Sequence, residues 1–199
     1  MKKVKLASIA SIRTGFQIRA KLTPVDKGTH NVVQMRNIRT DTGEIIEGVE
    51  FCRVTPKESR LDGYLLKKGD VLFLTRGNNH PATLITEKYV GFVAAGQFMV
   101  LSLNGGECLS EYLRWFLNSP ESRSYFAREA RGTAVKIVDK STVGNLEISI
   151  PDLRRQKAIV ALYDLSKREE KLLNSLMIKR KRLIHGYCHK AGATDEHGF

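Results

Sequence analysis

After Pro151 the chain runs for 34 residues, from Asp152 to His185, before the next glycine or proline, Gly186. Few structures suit such a stretch other than a long helix. Just before it, Leu146, Ile148 and Ile150 alternate with polar residues, the pattern of a half-buried strand. Asp152 suits the positive end of a helix dipole. Ala158, Leu162, Leu165, Glu169, Leu172, Leu176, Lys179 and Leu183 then follow at alternating spacings of four and three. Six of these eight positions are apolar, which marks a coiled-coil seam that Glu169 and Lys179 interrupt. Residues 152–185 as a helix make a rod of about 50 Å. One domain cannot cover such a rod alone, so it lies across its own globule or pairs with another helix.

The first 150 residues read as mixed α and β with strands predominating. The segments 31–35, 49–54, 70–75, 82–86 and 98–103 are short, β-branched or aromatic, and bounded by Gly, Asn, Asp or Pro. Ser110 is placed to cap a helix over "EYLRWFLN", and Ser119 with Pro120 opens a second over "ESRSYFAREA". The expected class is α+β: a strand-rich domain over 1–150, one long helix over 151–187, and a flexible tail over 188–199.

Charge narrows the function. Lys and Arg outnumber Asp and Glu by 33 to 21, a net charge of +12 and a pI near 9.8. This excess favours polyanions, nucleic acid first and anionic membrane second. The start "MKKVKLASIASI" has serines inside its apolar stretch and no small-residue cleavage pattern after it, so a signal peptide is not expected. The longest mostly apolar run, 91–103, is too short to span a bilayer, so no membrane role is expected. Cys52, Cys108 and Cys188 are scattered, without a Cys-x-x-Cys pair, and a reduced cytoplasm is the expected setting.

Catalytic signatures are missing. The sequence contains no Gly-x-x-x-x-Gly-Lys-Ser/Thr, Gly-x-Gly-x-x-Gly or Gly-x-Ser-x-Gly, and no Asn/Asp-Pro-Pro-Tyr/Phe tetrapeptide. Pro151-Asp152 with Glu169-x-Lys171 satisfies a loose nuclease pattern. On one helix, however, the two carboxylates stand about 25 Å apart and cannot share an ion. His185, Cys188 and His189 are not expected to bind metal, so neither catalytic nor metal residues are assigned.

Polar and basic loops remain. "TRGNNH" places Arg76, Asn78, Asn79 and His80 after a strand, and Arg and Asn are the residues that pair bidentately with guanine and adenine. Arg36, Arg39, Arg131, Lys136 and Lys140 are expected to hold phosphates. The run Lys179–Arg182 splays around its helix and reads as a solvated end.

In this order, the segments "KLASIASIRTG", "LKKGDVLFLTRG", "EYLRWFLNS" and "GTAVKIVDKSTVGNLEISIPDLRRQKAIV" resemble one half of the DNA specificity subunit of type I restriction-modification systems. The strand ending Ile-x-Ile-Pro before a helix with an early Gln156 is the most specific part of the likeness. The resemblance implies a target-recognition domain that reads a DNA half-site, then a long helix. In the usual subunit two such halves stand in tandem with their helices antiparallel. It further implies a subunit that catalyses nothing itself. It docks modification subunits that methylate adenine with S-adenosylmethionine, and restriction subunits that use ATP and Mg. With one half present, the resemblance implies a homodimer through Leu162, Leu165, Leu172, Leu176 and Leu183 on a palindromic, bipartite site. The alternative reading is a stand-alone dimeric DNA-binding regulator without a methyltransferase partner.

Overall fold

The computed structural model describes residues 2–17, 28–55, 63–133 and 135–193. Contacts divide the chain into two units, residues 1–157 and 158–199. The first is strand-rich and the second is helical, so the class is α+β, as the sequence indicates.

Within the first unit, β1 (Lys2–Lys5), the short α1 (Leu6–Ile9) and β2 (Ala10–Thr14) open the fold. β3 (His30–Val33), β4 (Cys52–Val54), β5 (Val71–Leu74), β6 (Ala82–Leu84), β7 (Val93–Ala94) and β8 (Phe98–Leu103) follow. Then come α2 (Ser110–Leu117), α3 (Pro120–Glu129), α4 (Lys140–Asn145) and β9 (Glu147–Ile150). The strands form an antiparallel four-stranded sheet in the order β2-β8-β5-β6 and a three-stranded sheet in the order β4-β3-β7. A separate antiparallel pair joins β1 to β9, with Val4 opposite Ile148.

β5 is buried on both faces. Its Leu72 and Leu74, with Phe98 and Val100 of β8, pack against Val32 and Val33 of β3 and Ala94 of β7. Phe73 points the other way, its ring 4.6 Å from that of Phe126 on α3. A strand covered on both sides reads as a continuous apolar run, which "VLFL" is. The turn ahead of it is pinned by buried Asp70, which accepts from the Lys67 N–H (2.9 Å) and the Ser102 hydroxyl (2.6 Å) and meets Arg13 at 3.4 Å.

α3 and α4 start on local side-chain caps, whereas α2 does not. Ser119 accepts from the Ser122 N–H with Pro120 at the first helical position, as expected. Ser110, expected as a cap, is instead the first residue of α2, and Leu109 is the N-cap without a side-chain cap bond. The Leu109 N–H is satisfied from elsewhere: it donates to the Gln156 side-chain carbonyl at 2.8 Å. The same amide donates to the carbonyls of Glu107 (2.7 Å) and Pro151 (2.8 Å). Gln156 thus does for α2, from a distant element, what the reciprocal residue of a capping box does locally. Tyr112 of α2 donates to the Ser149 carbonyl at 2.7 Å and fastens β9 to the same helix.

α5 (Leu153–Ala193) begins after Pro151, with Asp152 accepting the Arg155 N–H at 2.9 Å. Its first turn, through Gln156, belongs to the first unit, and the second unit starts at residue 158. The helix does not end near Gly186 as expected. It continues to Ala193, because one glycine within a helix costs only about 1 kcal/mol against Ala. Of the expected tail, residues 188–193 are helical and 194–199 lie outside the described residues.

Gln156 is fully buried. Its replacement by Ala strands one N–H and two carbonyls, and urea unfolding is expected to show a loss of about 2–3 kcal/mol. Gln156→Glu, of the same shape, is expected to cost at least as much, because it turns a carboxylate oxygen toward two carbonyl oxygens.

Candidate nucleic-acid interface

β5 delivers the chain into Thr75–His80. The Thr75 backbone N–H and hydroxyl both donate to the Gln97 carbonyl, at 2.9 and 2.8 Å, and fix the start of the loop. The loop is closed from inside by His80, which is 2% exposed and has φ of +42°. Its ring stacks near Phe73 (6.1 Å, 15° between planes) and meets the Phe126 edge at 6.5 Å. Nδ1 lies 3.1 Å from the Leu74 carbonyl, which can only accept, so the proton sits on Nδ1. Nε2 is buried without a partner among the described residues. Burial, the largest cause, pushes the His80 pKa below its ordinary value and keeps the ring neutral; the Leu74 carbonyl opposes it in part, and the charge of Lys136 adds a smaller downward push. His80 therefore anchors the loop, which corrects the expectation that it reads bases. Arg76, Asn78 and Asn79 are exposed, as surface contacts must be.

A second loop meets the first. Arg131 and Ile137 exchange both backbone hydrogen bonds, at 2.9 and 2.8 Å. On the other side of Ile137, the Gly77 N–H donates to the Lys136 carbonyl (3.0 Å) and the Val138 N–H to the Thr75 carbonyl (2.9 Å). Ile137 is thereby bridged antiparallel to Arg76 and to Arg131. Directly opposed residues in antiparallel pairs share a face, with Cβ atoms about 5 Å apart. The result is a row, Arg76–Ile137–Arg131, with two exposed arginines flanking an isoleucine that is 43% exposed. Val135, 53% exposed, lies on the same loop.

Both arginines precede a glycine with positive φ, Gly77 at +110° and Gly132 at +113°. At Gly132 a Cβ would also collide with the Val135 carbonyl. The two Arg-Gly dipeptides are the sequence trace of this row. Ile137 has no local sequence signal for this role, because its place between the arginines depends on pairing across some sixty residues.

The other candidates are dispersed. Lys136 is half-buried within the row's own loop. Lys140 is exposed at the start of α4, behind Asp139, whose carboxyl is held down at about 2 by the Thr142 N–H and by the hydroxyls of Ser141 and Thr142. Arg36 reaches the Cys52 thiol on β4 at 2.7 Å. Arg39 makes a two-point contact with Asp41 at 3.3 and 3.1 Å. Their segment is tied to β6, where Thr83 donates to the Gly43 carbonyl, and to α3, where Arg123 donates to the Asp41 carbonyl. Arg36 and Arg39 thus belong to a different segment from the row, and Arg39 already has an anionic partner.

Two guanidiniums beside an apolar side chain, with two exposed amides on the same loop, can grip phosphate oxygens or base edges bidentately. Among the described residues no group of three or more His, Cys, Asp or Glu is placed to hold a metal ion. No helix among them is long and apolar enough to cross a membrane. In the second unit, Leu162, Leu165, Leu172, Leu176 and Leu183 are all exposed on α5.

A family model described as the type I restriction modification DNA specificity domain matches residues 1–176. No curated protein matches the chain. Among solved structures, the HsdS subunit from Thermoanaerobacter tengcongensis aligns with a TM-score of 0.69 at 19% identity, over 100% of this chain and 50% of that one. The type I restriction-modification S subunit from M. genitalium aligns with a TM-score of 0.59 at 19% identity, over 98% of this chain and 46% of that one. A chain from a study of complex assembly and conformational transition in the type I R-M system gives a TM-score of 0.67 at 16% identity, over 92% and 43%. The chain thus spans about half the length of the structures it matches, and shares their fold.

The neutral, buried His80 has a pH signature. Its native pKa lies below the ordinary 6.5, so below pH 6.5 the unfolded chain takes up a proton that the native chain refuses. This contribution to stability is present above pH 6.5 and is lost as pH falls toward the native pKa. Urea midpoints of wild type and His80→Asn, measured between pH 7.5 and 5.0, are expected to converge toward the acid end. Asn is chosen because it tolerates positive φ. Parallel profiles would contradict a buried neutral imidazole.

Proposed function

The chain belongs to the type I restriction modification DNA specificity domain family, and on that premise we propose that it reads DNA sequence for partner subunits. It is a recognition subunit that catalyses nothing itself and works on double-stranded DNA in the cytoplasm. Modification subunits methylate adenine with S-adenosylmethionine. A restriction subunit contributes ATP- and Mg-dependent translocation and cleavage. The chain acts as a homodimer through Leu162, Leu165, Leu172, Leu176 and Leu183, and its two-fold symmetry makes the target palindromic and bipartite.

The observation that carries this reading is the Arg76–Ile137–Arg131 row, with Asn78 and Asn79 on the same loop. Arginine and asparagine are the side chains best matched to the major-groove edges of guanine and adenine. The net charge of +12 supports it, since phosphate neutralisation supplies most of the sequence-independent affinity for DNA. Arg131, Lys136 and Lys140 act on phosphates in this reading, as do Arg36 and Arg39 on the separate segment. Release of Arg39 from Asp41 lowers the net gain from that contact.

Co-expression with a candidate modification subunit, followed by mapping of methylated adenines, tests the function. A split motif of two symmetric halves is expected, and methylation at an asymmetric or unsplit motif would count against the dimeric reading. The interface has its own test in DNA-binding titrations over a range of salt. Arg131→Ala and Lys136→Ala are each expected to weaken binding on all sequences alike and to reduce the salt slope by about one. Arg76→Ala is expected to relax discrimination at one base pair, a loss of about 1–3 kcal/mol. Unchanged affinity in all three variants would place the DNA face elsewhere.

A further inference from the structure

We infer that the antiparallel pairing of α5 with a second copy, the orientation that the family resemblance implies, has one register, with Glu169 of each copy set against Lys179 of the other. The two-fold axis then passes at the level of Asn174. This rests on the homodimer proposed above and adds its register.

The argument starts from the two charges in an otherwise apolar seam. Leu162, Leu165, Leu172, Leu176 and Leu183 are between 60% and 74% exposed. Glu169 and Lys179 are exposed on the same stripe. In a parallel pair each seam residue faces its own copy. Glu169 would then oppose Glu169, and Lys179 would oppose Lys179, inside the contact. An antiparallel pair instead opposes residues equidistant from the axis. With the axis at 174, Leu172 meets Leu176, Leu165 meets Leu183, and Glu169 meets Lys179. The alternation of fours and threes sets each of the two kinds of seam position against the other kind, as antiparallel packing demands. Leu162 meets Gly186, where a Cβ would find open space in the single chain.

Neighbouring registers fail on the same two residues. A slip of one heptad in one direction sets Glu169 against Leu172 and Lys179 against Leu162. A slip in the other sets Lys179 against Leu176 and Glu169 against Gly186. Each leaves charges in the seam without a counter-charge, which is the costly arrangement. The wider charge pattern agrees. Within 158–193 the acidic residues are Asp164, Glu169 and Glu170, and the densest basic run is Lys179–Arg182. Antiparallel pairing lays one over the other, whereas parallel pairing stacks the basic runs together.

Disulfide trapping in the full chain tests the register. The background is Cys188→Ser, because Cys188 is exposed while Cys52 and Cys108 are buried. Glu169→Cys with Lys179→Cys is expected to oxidise to a covalent dimer whose peptide map shows 169 joined to 179. That link cannot form within one helix, where the two positions are about 15 Å apart. Leu172→Cys with Leu176→Cys, which keeps both charges, is expected to join 172 to 176 between copies. Sedimentation of the unmodified chain runs alongside. A dimer whose links join 169 to 169 and 179 to 179 overturns the orientation. A dimer with no link in either variant overturns the register. A monomer overturns the homodimer itself. As a second readout, Glu169→Lys is expected to weaken the dimer about tenfold or more, and adding Lys179→Glu to restore it. Failure of the double reversal to restore affinity also rejects the pairing.

Discussion

One buried amide holds the plan of the first unit together. Gln156 accepts from the Leu109 N–H and donates to the carbonyls of Glu107 and Pro151. Its whole principal hydrogen-bonding capacity is spent on backbone, at the start of α2, the end of β9 and the first turn of α5. Such groups are expensive to leave unpaired once buried, so all three segments are constrained at once. β1 adds the fourth, since it pairs with β9 along its length. The Ile-x-Ile-Pro strand and the glutamine five residues after its proline therefore work as one joint.

The row of Arg76, Ile137 and Arg131 depends on the core in a comparable way. β5 is covered on both faces, and the loop that follows is held from below by His80 against Phe73 and Phe126. The histidine gives up its charge to occupy this place. What it contributes is a fixed backbone, on which Thr75 and Gly77 bond the second loop. The two positive-φ glycines then turn the chain away immediately after each arginine. Backbones already fixed side by side spare the cost of ordering two loops when the arginines engage an anion.

Much of this was legible in the sequence wherever it was local. The apolar runs of β5 and β8 and the seam of α5 show as periodicity, and the cap at Ser119 shows as a residue pattern. Elements made by distant partners were not legible. Three of the four residues of β1 are lysines, and nothing local marks it as a strand; it is one because β9 lies beside it. His80 stands beside two asparagines in a loop, and sequence cannot distinguish a ring that faces solvent from one that turns inward. Ser110 is of the type that caps helices, but the N-cap of α2 is Leu109, whose own N–H is held by Gln156, 47 residues further on. The candidates scattered for the same reason: Arg76 and Arg131 are joined by pairing, whereas Arg36 and Arg39 are tied to β4 and Asp41.

The polar interruptions of the α5 seam make sense as a choice of specificity over strength. Leucines at 169 and 179 would give a stickier stripe, but one that pairs equally well when slipped by a heptad. In the proposed dimer a slip matters. With the axis at Asn174, the two Leu153 ends stand about 63 Å apart along the paired helices, and one heptad changes that by about 10 Å. At 3.4 Å per base pair this is about three base pairs, enough to put a second half-site on a different side of the duplex. A dimer that spaces two half-sites, as proposed, has to have one length. Opposed charges at two positions supply that constraint, because each wrong register leaves them facing leucine or glycine instead of each other.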